Sequence, residues 1–211
     1  MSNRIACWGF VAALAGLAAC ADRSPKTVAP TQAVEGHYDA EEIRTEVTAL
    51  ADELDIDREQ RDELMGRLAV LMRDPEFSAE MRRKQVQGVG VYHRNEGGVV
   101  VKVGRGDGRI RFAGDAREYP FVMSSSSAGA LVGGSASSGV VLALGLVDAA
   151  DIEGKYSGKV RSSIAMDASK GALHVEHMEG DAELWFVGVA EGLSANAGIE
   201  EVKLAFGTPE D

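Results

Sequence analysis

The second half of the sequence is a series of short apolar, β-branched runs separated by glycine, serine and turn-forming residues. This pattern constrains the fold more than any other feature. Turn-forming residues at 95–98 and 107–108 predict hairpins between consecutive strands. We therefore expect an antiparallel sheet of about eight strands that is strongly curled or closes into a barrel. The runs begin with VQGVGVYHR at Val86 and continue at residues 99–103, 109–112, 119–123, 140–147, 159–166, 172–178, 184–189 and 202–206.

Three helices are predicted before the sheet. Asp39 is suited to the N-cap of the first helix, and Glu42, three residues later, completes a capping box. The second helix is predicted to start near Asp57 and the third at Pro75, a residue favoured in the first helical turn. The fold class is therefore α+β, with N-terminal helices packed on the sheet in one domain over residues 39–206 and a short tail at 207–211. The predicted inward-facing residues are Ile43, Val47, Leu50, Leu54, Leu64, Leu68, Leu71, Phe77 and Met81.

The composition permits a single globular core. The chain has 211 residues, of which 45% are hydrophobic and 26% are charged. Its formal net charge of −11 argues against a general nucleic-acid-binding protein, because most of the surface repels phosphate groups.

The N-terminus has the features of an export signal. Arg4 precedes an apolar run at residues 5–19 that is too short to span a bilayer as a mature helix. The sequence LAAC, which ends at Cys20, resembles the bacterial lipobox, in which the cysteine receives a diacylglycerol and the new amine receives an acyl chain such as palmitate. Residues 1–19 are then a signal peptide. The alternatives are a plain signal peptide cut elsewhere and an apolar helix that ends at a cysteine.

The lipobox resemblance also implies a location. Ala21 after the acylated cysteine favours transfer to the outer membrane, so we expect a protein anchored by lipid at the periplasmic face of that membrane, in a bacterial cell envelope. Residues 20–38 are polar, contain Pro25 and Pro30, and read as an extended tether. Cys7 lies in the segment to be removed, so no internal disulfide is expected.

Two glycine-rich segments do not fit catalytic motifs. The segment GRGDG at residues 104–108 lacks the lysine and the serine or threonine of a phosphate-binding loop, and we interpret it as a hairpin turn. The segment GGSASSG at residues 133–139 lacks the G-x-S-x-G spacing of a nucleophile elbow. We therefore expect no enzymatic activity and no cofactor.

The segment HVEH at residues 174–177 is the best metal-binding candidate. On a strand, His174 and Glu176 share one face while His177 points to the other. A set of three ligands therefore needs help from a distant residue such as His93. We predict no metal site and interpret the segment as a strand end that faces solvent.

One segment of the sequence is basic, although the net charge of the whole chain is negative. Residues 82–111 contain eight basic and two acidic residues. One interpretation is a hairpin edge that charges protect from aggregation. The other is a surface that meets anionic lipid head groups, where each cation near the surface contributes on the order of 1 kcal/mol. The lipid-binding candidates are Arg82, Arg83, Lys84, Lys102, Arg105 and Arg109.

Five stretches, taken in order, resemble the SYLF-domain family, a lipid-binding domain of actin-patch proteins that also occurs in bacterial lipoproteins. They are DPEFSAEMRRKQVQGVGVYHR, GGVVVKVGRGDGRIRF, YPFVMSSSSAGALVGGSASSGVVLALGL, IAMDASKG and AEGLSANAGIEEVKL. The resemblance covers roughly residues 74–206.

The resemblance implies that the small residues at 124–139 form sheet in which backbones approach closely, rather than a flexible linker. It also implies an exported lipoprotein whose domain binds phospholipid or another amphiphile. The alternative is a non-enzymatic lipoprotein with a structural or protein-interaction role in the envelope. The sequence points to no particular protein partner.

Overall fold

A computed structural model of the protein describes residues 34–98, 101–128, 133–146, 148–161, 172–190 and 199–207. Three helices precede eight strands, and a short 3-10 helix, Ala149–Ile152, precedes the fifth strand. The helices are α1 (Ala40–Glu53), α2 (Arg58–Leu71) and α3 (Pro75–Lys84). The strands are β1 (Val86–Gly98), β2 (Val101–Phe112), β3 (Tyr119–Ala128), β4 (Gly133–Leu144), β5 (Gly154–Arg161), β6 (Ala172–His177), β7 (Glu183–Ala190) and β8 (Ile199–Phe206).

The helices begin at the predicted positions because side chains there satisfy free backbone donors. The Asp39 carboxylate accepts hydrogen bonds from the Glu41 and Glu42 amides at 2.8 and 2.9 Å, and Glu42 accepts one from the Asp39 amide at 2.8 Å. Asp57 caps α2 and Asp74 caps α3 by accepting hydrogen bonds from amides of the first turn, without the reciprocal bond. A cap of this type typically stabilises a helix by about 1 kcal/mol.

The eight strands form a closed antiparallel barrel in the order β1-β2-β3-β8-β5-β6-β7-β4, and pairing of β4 with β1 closes it. The predicted α+β fold with a barrel-like sheet is therefore confirmed. The order is not sequential, because β8 lies between β3 and β5 and β4 lies between β7 and β1. Closure pairs the edge of every strand, which removes the exposed edges of an open sheet.

The barrel interior is filled by side chains. Alternate residues of each strand point inward and form one apolar cluster. The ring of Phe112 contacts Tyr119 and Phe206 edge-to-face, with centroids 5.3 and 6.1 Å apart. Near the middle of β1 and β7, Tyr92 meets Phe186 edge-to-face at 5.7 Å. These aromatic side chains pack together and form the core of the described part of the barrel.

A second apolar cluster joins the helices to the outer face of the barrel. Outward-facing residues of β1, β4 and β7 pack against the buried faces of all three helices. Phe77 of α3 meets Trp185 of β7 edge-to-face at 5.1 Å. Strand β4 is therefore buried on both faces, which explains why residues 140–144 are continuously apolar.

The interpretation of GRGDG as a hairpin turn is wrong, because residues 104–108 lie in the middle of β2. The runs predicted at 99–103 and 109–112 are not separate strands, because the described residues of both belong to β2. A Cβ atom on Gly106 would lie 2.3 Å from the His93 carbonyl oxygen, and one on Gly108 would lie 2.3 Å from that of Val91. These glycines allow close approach of β1, so they mark packing rather than a turn.

The serine- and glycine-rich stretch is sheet, as predicted, at residues 124–128 and 133–139, whereas 129–132 lie outside the described residues. Its two parts belong to strands that are not neighbours, since β3 pairs with β2 and β8 while β4 pairs with β1 and β7. A Cβ atom on Gly139 would lie 2.3 Å from the ring of Tyr92. The small residue at 139 therefore makes room for an aromatic side chain in the core.

Candidate functional site

The basic segment is divided by the fold. Arg83 and Lys84, at the end of α3, reach Glu183 at the start of β7, with N–O distances of 3.3 and 2.6 Å. Arg105 and Arg109 lie on β2, which β1 and β4 separate from β7. Three strand spacings of about 4.8 Å each therefore separate the two groups around the barrel.

Arg109 and Arg111, on the outer side of β2, form part of an ion-pair network with acidic residues. Arg111 donates to Glu46 at 2.9 Å and to Glu53 at 2.8 Å, both in α1, and also contacts Glu118. Arg109 donates to Glu118 at 3.0 Å. Burial disfavours the charge on Arg111, but these hydrogen bonds outweigh it and raise its pKa. The network ties α1 to β2, so these charges have a structural role.

Among the remaining candidates, Arg82 and Arg105 are exposed, and the side chain of Lys102 lies outside the described part of the structure. Arg94, another member of the basic segment, points into the barrel and is only 8% exposed. Its guanidinium donates to the Ser125 hydroxyl at 2.5 Å. A Cβ atom on Gly104 would lie 2.6 Å from Arg94 Nε, so the glycine provides space for this buried cation.

The strand geometry predicted for HVEH is correct, but its predicted exposure is wrong for His174. His174 and Glu176 point outward, while His177 meets the Tyr156 ring at 4.9 Å. His174 is buried and stacks on Trp185 at 4.3 Å, because the outer face of this part of the barrel is covered.

The ligand atoms of His174, Glu176 and Glu183 lie within 4.8 Å of one another, so these three residues could in principle hold a metal ion. Glu183, however, accepts from His174 Nε2 at 3.1 Å and pairs with Lys84. Burial opposes its ionisation, but the hydrogen bonds from Lys84 and His174 lower its pKa. The Lys84 ammonium therefore already neutralises this carboxylate through Oε1, and His174 occupies Oε2, so the cluster fits a buried ion pair better than a metal centre.

The outer face of β2, β3, β8 and β5 presents exposed polar side chains in register. Arg105 lies opposite Ser124, Ser124 opposite Lys203, and Lys203 opposite Lys155. All four side chains are exposed. We call these four residues the cation row.

Exposed apolar side chains flank the cation row. Val103 is 53% exposed, Val122 is 57% exposed, and Met178, whose amide donates to the Lys155 carbonyl at 2.9 Å, is 60% exposed. A depression of about 250 Å³ lies along the row. Its lining combines cationic, hydroxyl, carboxylate and apolar groups: Val103, Ser124, Ser125, Ser126, Lys155, Tyr156, Met178, Glu201, Val202 and Lys203.

Of the six candidates chosen from the sequence, only Arg105 belongs to the cation row. Sequence reasoning missed Lys155 and Lys203 because both lie outside the basic segment. The two lysines are 48 residues apart in the sequence, and only the order of strands in the barrel places them side by side. The alternation of residues in β8 and β5 could have placed both lysines on an outer face. It could not have shown that the two strands are neighbours.

The lipid-attachment candidate, Cys20, and the signal peptide at 1–19 lie outside the described residues. Within the part of the chain that the structure describes, no helix has both the length and the apolar character needed to cross a membrane.

Comparisons with known proteins find similarity to solved structures at low sequence identity. No protein-family model and no curated protein matches the sequence. Among solved structures, the chain is similar to a beta-barrel-like, uncharacterized protein from Brucella abortus, with 16% identity, a TM-score of 0.46, and coverage of 83% of this chain and 98% of that chain. It is also similar to the virulence-associated protein VapD from Rhodococcus equi, with 11% identity, a TM-score of 0.38, and coverage of 57% and 96%.

Proposed function

We propose that this protein is an exported bacterial lipoprotein, anchored through Cys20 at the periplasmic face of the outer membrane, whose barrel domain binds phospholipid or another amphiphile at the membrane. The proposal includes neither enzymatic activity nor a cofactor. The resemblance of residues 74–206 to the SYLF-domain family supports it, as does the sequence LAAC at the end of an apolar segment.

The observation that carries the lipid-binding part is the outer face of β2, β3, β8 and β5. Exposed cations there lie beside Val103, Val122 and Met178, which are all more than half exposed. An amphiphile that carries an anionic group next to an apolar one is complementary to this surface, because the anionic group meets the cations and the apolar group meets the exposed apolar side chains. The packed interior supports an external site, because aromatic and aliphatic side chains fill the part of the barrel that the structure describes around Tyr92, Phe112 and Tyr119.

The anchor would allow this face to reach the membrane. The chain between Cys20 and Val34 can span on the order of 45 Å when fully extended, which allows either side of the barrel to reach the bilayer. An acylated cysteine also supplies the two or more chains needed for stable attachment. Weak contact by the barrel is then sufficient, since the tether keeps the local concentration of lipid high.

The anchor is tested by labelling with a radioactive fatty acid. The wild-type protein should incorporate the label and fractionate with the outer membrane, whereas Cys20→Ser should not be labelled. Cys7→Ser is the matched control and should keep the label, because residue 7 lies in the segment that is removed. Equal labelling of the Cys20→Ser variant and the wild type would disprove the attachment site.

Lipid binding by the domain is tested separately with a chain that starts at Ala21. Sedimentation with phospholipid vesicles, or phospholipid retained in native mass spectrometry, is the expected result. An acylated protein whose domain neither sediments with vesicles nor retains lipid would support the structural or protein-interaction role instead.

A further inference from the structure

The cation row contains two lysines that face one another. Lys203 of β8 and Lys155 of β5 are directly paired in register, so their Cβ atoms are separated by about 5 Å. Neither amine forms an ion pair with any residue that the structure describes. Like charges at such positions destabilise a sheet, and a bound anion between them would remove the repulsion. Ser124, the partner of Lys203 on the other side, adds a hydroxyl donor.

A carboxylate lies close to these amines without pairing with them. Glu201 precedes Lys203 by two residues on the same face of β8, a separation of about 7 Å along the strand. It is also diagonal to Lys155, because its direct partner in β5 is Ser157. Glu201 is exposed and lines the same depression as both lysines. The depression therefore has a cationic end and an anionic end.

We propose that this depression binds the head group of a phospholipid that carries both a phosphate and a primary ammonium, as phosphatidylethanolamine does. The phosphate lies between Lys155 and Lys203, and the ammonium lies against Glu201. The exposed Val103 and Met178, which also line the depression, contact the apolar part of the lipid. This inference rests on the proposed function and specifies its ligand.

The charges favour a zwitterionic head group over an anionic surface. Glu201 lies in the row of residues on one side of the cation row, and exposed Asp107 lies on the other side, beside Arg105 in β2. The whole chain carries a formal charge of −11. An anionic bilayer would be repelled by both acidic residues and by the net charge, whereas a head group with both charges satisfies the lysines and Glu201 together.

The test uses a chain that starts at Ala21, which keeps the whole described fold because both apolar clusters are built from residues between Val34 and Phe206. Vesicles of phosphatidylcholine alone, phosphatidylcholine with phosphatidylethanolamine, and phosphatidylcholine with phosphatidylglycerol are compared by sedimentation. We expect the ethanolamine vesicles to bind best. The quaternary ammonium of choline cannot donate a hydrogen bond to Glu201, and glycerol provides no cation.

Variants locate the site. Lys155→Gln and Lys203→Gln should each weaken binding to ethanolamine vesicles by about tenfold, the effect of losing one charge-assisted contact. Glu201→Gln should abolish the preference for ethanolamine over choline and should strengthen binding to glycerol vesicles. Arg73→Gln, an exposed site between α2 and α3, removes the same charge on the helix side and should leave all three affinities unchanged. Thermal midpoints at or above that of the wild type would show that each variant is folded.

A soluble probe separates recognition of the head group from adsorption to a bilayer. Glycerophosphoethanolamine should shift the amide resonances of β5 and β8, and inorganic phosphate should shift them less. Preference for glycerol vesicles, or equal binding by the two lysine variants and the wild type, would overturn this inference while the proposed lipid-binding function stands. Absence of binding to all three vesicle types would instead remove the lipid-binding function itself.

Discussion

The two halves of the barrel wall share one interior but differ in what covers them. On the outer face of β1, β4 and β7, apolar residues pack against three helices, whereas on β2, β3, β8 and β5 the outer face carries charges and serines. Burial reflects this difference, since residues 140–144 are all buried while residues 119–126 alternate between buried and more exposed positions. On the outer face, the side chains of the covered half therefore contribute to stability, and those of the uncovered half are available for binding.

Removing Trp185 should produce the largest effect. Its ring packs between Phe77 and His174 on the covered half, so Trp185→Ala should destabilise the protein by about 3–5 kcal/mol. Val122→Ala, at a residue that is 57% exposed on the other half, should change stability by less than about 0.5 kcal/mol. Denaturant unfolding measures both. Similar losses for the two variants would contradict the division into a stabilising and a binding half.

Lys84 sharpens the contrast within the predicted basic segment. Its amine neutralises buried Glu183, so Lys84→Gln should destabilise the protein by about 1–3 kcal/mol. Arg105→Gln, which removes an exposed charge from the cation row, should have an effect near zero. Thermal unfolding at neutral pH tests the pair. If Lys84→Gln proved neutral for stability, its role as an ion-pair partner of Glu183 would have to be abandoned.

Asp115, in the connection between β2 and β3, gives the uncovered half a pH-dependent contribution. Hydrogen bonds from Arg117 and from the Tyr119 hydroxyl, opposed by burial, lower its pKa to about 2 from an ordinary 3.8. Because the folded pKa is depressed, the stabilisation is present above about pH 4 and is lost as the pH falls towards 2. The shift corresponds to about 2 kcal/mol.

We therefore expect Asp115→Asn to lose about 2 kcal/mol at neutral pH and to differ little from the wild type near pH 2. Denaturant unfolding as a function of pH measures the difference. Asp107→Asn, at an exposed site in β2, is the control and should follow the wild-type curve closely. A constant gap between Asp115→Asn and the wild type at every pH would exclude ionisation of Asp115 as the cause.

The smallest expected effect has the opposite sign. Lys155→Gln and Lys203→Gln each remove a repulsion between paired lysines, so each should stabilise the protein by about 0.2–1 kcal/mol. High salt should shrink the gain, because exposed charges are screened over about 8 Å at physiological ionic strength. A loss of stability in both variants would mean that the lysines contribute to the fold rather than to binding.

Much of the fold follows from local pattern. Asp39, Asp57 and Asp74 begin helices because each presents a carboxylate to free amides. Local pattern does not decide whether the sheet closes into a barrel. Of the cation row, it indicates only Arg105. Lys155 and Lys203 are ordinary exposed lysines in sequence, while Lys84 and Arg109 look available for lipid but are paired with Glu183 and Glu118. Long-range pairs of this kind leave no local periodicity.

The sequence by itself determined where helices and most strands lie, because capping side chains and the alternation of apolar residues act over a few neighbouring positions. Only the tertiary structure decided that GRGDG is strand rather than turn, since the reason is close approach of β1, and that β8 lies beside β5. The order of strands around a barrel depends on contacts between residues distant in sequence. That order turned two separate lysines into the paired cations of one surface.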